Sequence, residues 1–211
     1  MSDNLSGTIY DPELLNIYGA DLLRRVDGLL QKCKNHHIKI VTAESLTGGG
    51  IANLLTCLGG SSNMLDRAYI VYNNDAKQDM LGVKAETLAE YEAVSQPVAR
   101  EMALGALKNS RAQISVAVTG YAGPNGDDAR GISGGTVCIA SAVNGEVFMC
   151  DEFHFKGERT ADRRQTMETA VEFLEKTIEQ ALTPKIIKPT IKIKTSAAEL
   201  TKAEKQGHYH G

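Results

Sequence analysis

Leu22, Leu23, Val26, Leu29, Leu30 and Cys33 recur three and four residues apart, which predicts an amphipathic helix from Asp21 to Lys34. Ile38 to Ala43 reads as a buried strand. Ile51, Leu54, Leu55 and Leu58 then return to helical spacing, and Gly59 and Gly60 suit the end of that helix because glycine accepts the left-handed conformation. Tyr69 to Tyr72 is a second strand-like run, and Asn74 is placed to cap a short helix that stops at Gly82. Ser95 caps the next helix, through Val98, Met102, Ala106 and Leu107, with Pro97 in a first turn where no amide partner is lost. Ile114 to Val118 is the third strand. Thr136 to Ala142 and Glu146 to Phe155 flank Asn144-Gly145, a dipeptide suited to a tight hairpin turn, so an antiparallel pair should join the sheet. From Thr160 a long helix carries Met167, Ala170, Val171, Leu174, Ile178 and Leu182 on one face. Strands alternating with helices, then a hairpin, predict an α/β protein with a mixed, mostly parallel sheet.

Composition narrows the ligand. The 211 residues are 42% hydrophobic and carry a formal net charge of -3, enough for a real core and against binding nucleic acid or anionic lipid through bulk charge. A small molecule is the expected partner. Cys33, Cys57, Cys138 and Cys150 have no CxxC spacing and sit in apolar patterns, as reduced thiols of a cytoplasmic protein would. No signal-peptide pattern opens the chain and no apolar run reaches the roughly 18 residues of a membrane span. Residues 1–19 read as an amino-terminal extension and residues 20–184 as the domain. Residues 185–211 form a basic tail of charge +4 against -7 for the rest, flexible unless "TIKIKT" adds an edge strand.

The chemistry concentrates in "VTAESLTGGGIANLL", Val41 to Leu55, where a strand runs through Ser45 and Thr47 into three glycines and a helix. Unpaired amides at such a corner can cradle a phosphate or hold the oxyanion of an acyl-transfer intermediate, with Ser45 as nucleophile. The competing reading makes Ser45 or Thr47 a simple N-cap. Neither GxGxxG, GxxxxGK[ST] nor GxSxG occurs, so dinucleotide, P-loop and nucleophile-elbow chemistries lack support. His36, His37, His208 and His210 lie in polar segments and His154 on an alternating strand, with no HExxH pair, so no metal site is expected. Lys77, one turn into the helix after Tyr72, can serve as general base if burial lowers its pKa; otherwise it is a solvated helix residue.

Five segments in order, "AESLTGG", "YNNDAKQDMLGV", "VTGYAGP", "GGTV" and "FKGER", make residues 20–182 resemble the CinA carboxy-terminal domain family, whose characterised members are nicotinamide-nucleotide amidases. The resemblance implies a three-layer α/β/α sandwich, a homo-oligomer and hydrolysis of nicotinamide mononucleotide to nicotinate mononucleotide and ammonia without cofactor or metal. It implies Ser45 as nucleophile, Lys77 and Tyr72 as proton-transfer groups, and Thr47, Gly48, Gly49, Thr119, Gly120 and Arg159 as substrate-binding residues. Arg159 would meet the phosphate or carboxamide, unless it pairs with Glu158 or Asp162. The chain departs from the family at Ile132-Ser133-Gly134, where Lys-Pro-Val is usual; Arg130 is the nearest substitute for the missing cation. It also has Gly157-Glu158-Arg159 for Gly-Asp-Arg, which keeps the charge.

Overall fold

The computed structural model describes residues 10–183. They fold into a five-stranded sheet of β1 (Ile40–Glu44), β2 (Leu65–Ile70), β3 (Ile114–Gly120), β4 (Thr136–Val143) and β5 (Glu146–His154), in the order β2-β1-β3-β4-β5. β2, β1 and β3 are parallel, and β4 runs antiparallel to both of its neighbours, β3 and β5. The sheet is mixed, as the alternation and the Asn144-Gly145 turn indicated. Both turn residues have positive φ, the conformation a two-residue hairpin turn needs.

Alternation along the strands sends side chains to two separate cores. Ile40, Ile114, Val116, Val118, Val137 and Ile139 meet α2 (Ala20–His36), α3 (Gly50–Thr56) and α7 (Arg159–Leu182) on one face. Val41, Ala43, Ala117, Cys138 and Ala140 meet α6 (Gln96–Lys108) and the helices before it, α4 (Asn74–Leu81) and α5 (Ala85–Tyr91), on the other. This is the α/β/α sandwich. The second face uses small residues, so α6 lies close, and Gly105 on α6 packs directly on the last turn of α4. A Cβ at Gly105 would stand 1.9 Å from the Leu81 carbonyl oxygen. That close approach fixes the helix that carries Lys77.

Several boundaries differ from the sequence reading. The second strand is Leu65–Ile70, ending where Tyr69–Tyr72 was expected to begin its run, because pairing of Ala43 with Tyr69 and Glu44 with Ile70 closes the ladder there. Asn73 rather than Asn74 caps α4, its side chain accepting from the Ala76 amide at 2.8 Å. α3 ends at Thr56, ahead of the two glycines. α5 and α1 (Pro12–Tyr18) were not foreseen; Tyr18 is buried and its hydroxyl donates to Asn53. The basic tail and "TIKIKT" lie outside the described residues.

Candidate active site

Parallel β2, β1 and β3 bring their carboxyl ends to one edge, where open α/β sheets bind ligands. β1 ends in Glu44, and the ladder continues for one residue beyond it, the Ser45 amide donating to the Val118 carbonyl at 3.1 Å. The question of whether Ser45 or Thr47 caps α3 is settled by a residue the sequence reading passed over. Glu44 is fully buried, and its carboxylate accepts from the amides of Ile51 (3.0 Å) and Ala52 (2.8 Å) and the hydroxyls of Thr47 (2.8 Å) and Thr42 (3.0 Å). A carboxylate reaching in from the strand thus satisfies the first free amides of α3, a task usually given to an N-cap side chain. Ser45 is left without a capping role. The same arrangement corrects the expectation that helix-start amides are free for an anion. Those of Ile51 and Ala52 belong to Glu44, that of Gly50 to the Thr47 carbonyl and that of Gly48 to the Ser45 carbonyl.

Lys77 is 1% exposed, the largest fully buried side chain in the protein's described residues. Its Nζ lies 3.4 Å from Ser45 Oγ and also donates to the carbonyls of Val71 (3.1 Å) and Tyr72 (3.4 Å). No carboxylate pairs with it among the described residues. Burial therefore disfavours the ammonium and pulls the pKa of Lys77 below the ordinary lysine value. A lysine poised toward neutrality beside a nearly buried serine hydroxyl can take its proton.

A cleft of about 300 Å³ is lined by Leu46, Tyr72, Gly120, Tyr121, Asn125 and Arg159 among others; Ser45 and Lys77 do not line it themselves but adjoin it through Leu46 and Tyr72. Tyr72 is 64% exposed, and its hydroxyl accepts from Arg159 Nη2 at 3.3 Å. The backbone of Tyr72 thus touches the lysine while its phenol faces the arginine. Arg159 forms no ion pair with Glu158 or Asp162. Thr119 is buried and donates to the Ala93 carbonyl at 2.6 Å, so of Thr119 and Gly120 it is Gly120 that lines the cleft. Gly48 and Gly49 both adopt positive φ at 59° and 90°, which gives the Ser45 loop its turn. Arg130 is occupied by Glu92 and, at 3.7 Å, by Asp127.

The wall of the cleft depends on a second buried carboxylate. Asp162 Oδ2 accepts from the Gly123 amide at 2.8 Å. Side chains at Gly123, Gly157 and Gly135 would begin 2.9, 2.9 and 3.3 Å from its oxygens, so three of the five sequence segments each bring a glycine to Asp162. Among the described residues no three histidine, cysteine, aspartate or glutamate side chains group as metal ligands. Burial pushes the thiols of Cys33 and Cys138 up to about 12, which keeps them protonated and unreactive.

Comparison with known proteins agrees with this architecture. The model of the CinA C-terminal domain matches residues 24–178. The chain is 39% identical over 155 residues to nicotinamide-nucleotide amidohydrolase PncC of Escherichia coli (strain K12), covering 74% of this chain and 93% of that protein. It is 43% identical over 166 residues to a putative competence-damage inducible protein of Caldicellulosiruptor bescii, covering 77% of this chain and 39% of that longer protein. The crystal structure of the competence/damage inducible protein CihA from Agrobacterium tumefaciens superposes with a TM-score of 0.72 at 42% identity, over 76% of this chain and 97% of that one. A mixed α/β sandwich, a five-stranded sheet flanked by helices, is thus the class of protein. The chain belongs to the CinA C-terminal domain family.

Proposed function

We propose that this protein is an amidohydrolase that converts nicotinamide mononucleotide to nicotinate mononucleotide and ammonia, with Ser45 as nucleophile and neutral Lys77 as its base. The single observation that carries the mechanism is the buried Lys77 Nζ, unpaired by any carboxylate among the described residues, 3.4 Å from Ser45 Oγ. The amidohydrolase activity is supported by the 39% identity to the Escherichia coli enzyme over nearly all of that enzyme's length.

Lys77 takes the hydroxyl proton as Oγ bonds to the carboxamide carbon, and the carbonyl electrons move to oxygen. The intermediate collapses with cleavage of the C–N bond, the proton passing from Lys77 to the leaving nitrogen to give ammonia. Water then adds to the acyl ester, again giving its proton to Lys77, and Ser45 recovers a proton as nicotinate mononucleotide departs. The amides of Leu46, Thr47 and Gly49 have no partner among the described residues and are the loop donors available to meet an oxyanion. Arg159, in the cleft and unpaired by any carboxylate among the described residues, suits the phosphate.

Incubating the protein with nicotinamide mononucleotide and measuring ammonia tests the activity, and Ser45→Ala tests the nucleophile. One observation favours a second substrate reading. Arg130, the nearest replacement for the missing cation, is held by Glu92 and Asp127 and does not line the cleft, which leaves a single described cation there, Arg159, to meet a phosphate. A different small carboxamide, lacking a phosphate, would then be turned over faster than the mononucleotide.

A further inference from the structure

At Ser45 the loop is held by β3 and Lys77, but beyond Ser45 its ties through Glu44 and the Gly48 and Gly50 amides all lie within one β1–α3 unit. Two consecutive left-handed glycines in that loop leave its backbone free to take other turns. A tie from elsewhere in the fold comes from α7. Arg163 Nη2 donates to the Thr47 carbonyl at 2.7 Å, across 116 residues of sequence, and its guanidinium lies over Gly48. One turn later on the same helix, Met167 packs on Gly50.

The surroundings of Arg163 show what it is placed to do. Its Nε is buried with no partner among the described residues, and no carboxylate pairs with it. Its neighbours turn elsewhere: Asp162 holds Gly123 through Oδ2, its Oδ1 buried without a partner among the described residues, and Arg164 is held by Glu168 and the carbonyls of Ile17 and Tyr18. The Thr47 carbonyl is the contact that Arg163 makes, two residues from the nucleophile. Arg159, one turn earlier, faces the cleft instead.

We infer that Arg163 is a positioning residue, which anchors the Ser45–Gly49 loop to α7 and so holds Ser45 Oγ at Lys77. The inference rests on Ser45 being the nucleophile of the amidase reading. A displacement of about 1 Å at a reacting atom is enough to cost on the order of a hundredfold in rate. Loss of the anchor therefore acts on kcat, and it acts on any carboxamide that reaches Ser45, with or without a phosphate.

The test compares wild type, Arg163→Met and Arg163→Lys on nicotinamide mononucleotide and nicotinamide riboside, with amide hydrogen exchange read over Leu46–Gly50. Arg163→Met should lower kcat by roughly 10- to 100-fold on both substrates, keep KM for the mononucleotide within about threefold, and speed loop exchange by about tenfold or more. Arg163→Lys, whose ammonium can still reach the Thr47 carbonyl, should recover kcat to within about fivefold of wild type. Unchanged loop exchange in Arg163→Met overturns the inference, as does a loss confined to KM for the mononucleotide, which would make Arg163 a phosphate ligand. If the methionine variant does not fold, Arg163→Gln, too short to hold the Thr47 carbonyl, takes its place: lower kcat with faster loop exchange supports the anchor, and unchanged loop exchange overturns it. A wild type that turns over neither substrate defeats the amidase reading, and loop exchange in the variants still shows whether the anchor exists.

Discussion

Lys77 Nζ sits 3.4 Å from Ser45 Oγ, the lysine only 1% exposed, and no carboxylate among the described residues pairs with it to stabilise an ammonium. Burial lowers the pKa of Lys77, so the neutral amine becomes available below the 10.5 of an ordinary lysine. The kcat for ammonia release should rise with pH through that lowered pKa and then level. Lys77→Arg should be inactive across the profile, because a guanidinium stays protonated. A pH profile with no ionisation below that of free lysine would remove Lys77 as the base.

The same shift has a consequence for stability. Between the lowered pKa of folded Lys77 and 10.5 the unfolded chain binds the extra proton, so raising the pH through this window stabilises the fold. Below the folded pKa both states are protonated, and the cost of burying the ammonium is fully present. Thermal unfolding of wild type and Lys77→Met across the alkaline range should show the difference: the melting temperature of wild type should gain on that of the variant as pH rises. Parallel curves would show that Lys77 does not titrate differently in the folded protein.

Glu44 makes a sharper demand on chemistry than on charge, since all four groups around its carboxylate donate. Glu44→Gln places an NH₂ against either the Ile51 or the Ala52 amide, whichever way the side chain turns. Leaving one buried amide unpaired costs about 1–3 kcal/mol. The melting temperature should fall by on the order of 5 °C for a chain of this size, and ammonia release should fall with it because Ser45 is the next residue. A glutamine variant as stable as wild type would mean that the Glu44 contacts are exchanged for water at no cost.

How much of this was open to sequence reasoning depends on the range of the interactions. Ile114 to Val118 and the residues from Leu22 to Cys33 announce their elements through spacing alone, and both stand in the structure. β2 announces itself only through Tyr69 and Ile70 and not at its start, because an edge strand half covered by one neighbour needs no continuous apolar run. Ser45, Lys77 and Arg159 were picked out by residue type and resemblance. Nothing in "NNDAKQD" distinguishes a buried lysine from a solvated one; its burial comes from α6 pressing α4 onto the sheet edge. Glu44 was passed over because a carboxylate at a strand end looks like a solvent-facing charge. The one available signal was a glutamate between apolar Ala43 and the glycine loop, with no basic partner nearby in sequence.

Two glycine substitutions separate packing from propensity. Gly105→Ala would put its Cβ 1.9 Å from the Leu81 carbonyl oxygen, forcing α4 away and with it Lys77. Overpacking of this kind costs about 1–3 kcal/mol, and kcat should fall because the base moves. Gly28→Ala, on an exposed position of α2 with nothing within 4 Å, should instead stabilise by about 0.5–1 kcal/mol and leave kcat alone. Melting curves and ammonia release on the two variants give four readings. Equal effects at the two positions would show that the α4–α6 contact does not set the site.

Tyr72 divides its contacts between the two ends of the reaction. Its carbonyl helps to hold Lys77, and its phenol, largely in solvent, accepts from Arg159. Resemblance alone gives the phenol a proton to deliver, whereas its position ties it to the cation proposed for the phosphate. Tyr72→Phe leaves the carbonyl in place and frees only the arginine. It should therefore act like a mild form of Arg159→Ala. We expect kcat/KM for nicotinamide mononucleotide to fall by about three- to tenfold in Tyr72→Phe. In Arg159→Ala the loss should be about 1.5–3 kcal/mol, the range of a charge-assisted hydrogen bond, with slow turnover of nicotinamide riboside barely changed in either. A hundredfold fall in kcat on both substrates in Tyr72→Phe would show that the phenol swings to the leaving nitrogen during turnover and carries the proton after all. Equal losses on both substrates in Arg159→Ala would mean that the arginine supports the cleft wall and does not read a phosphate.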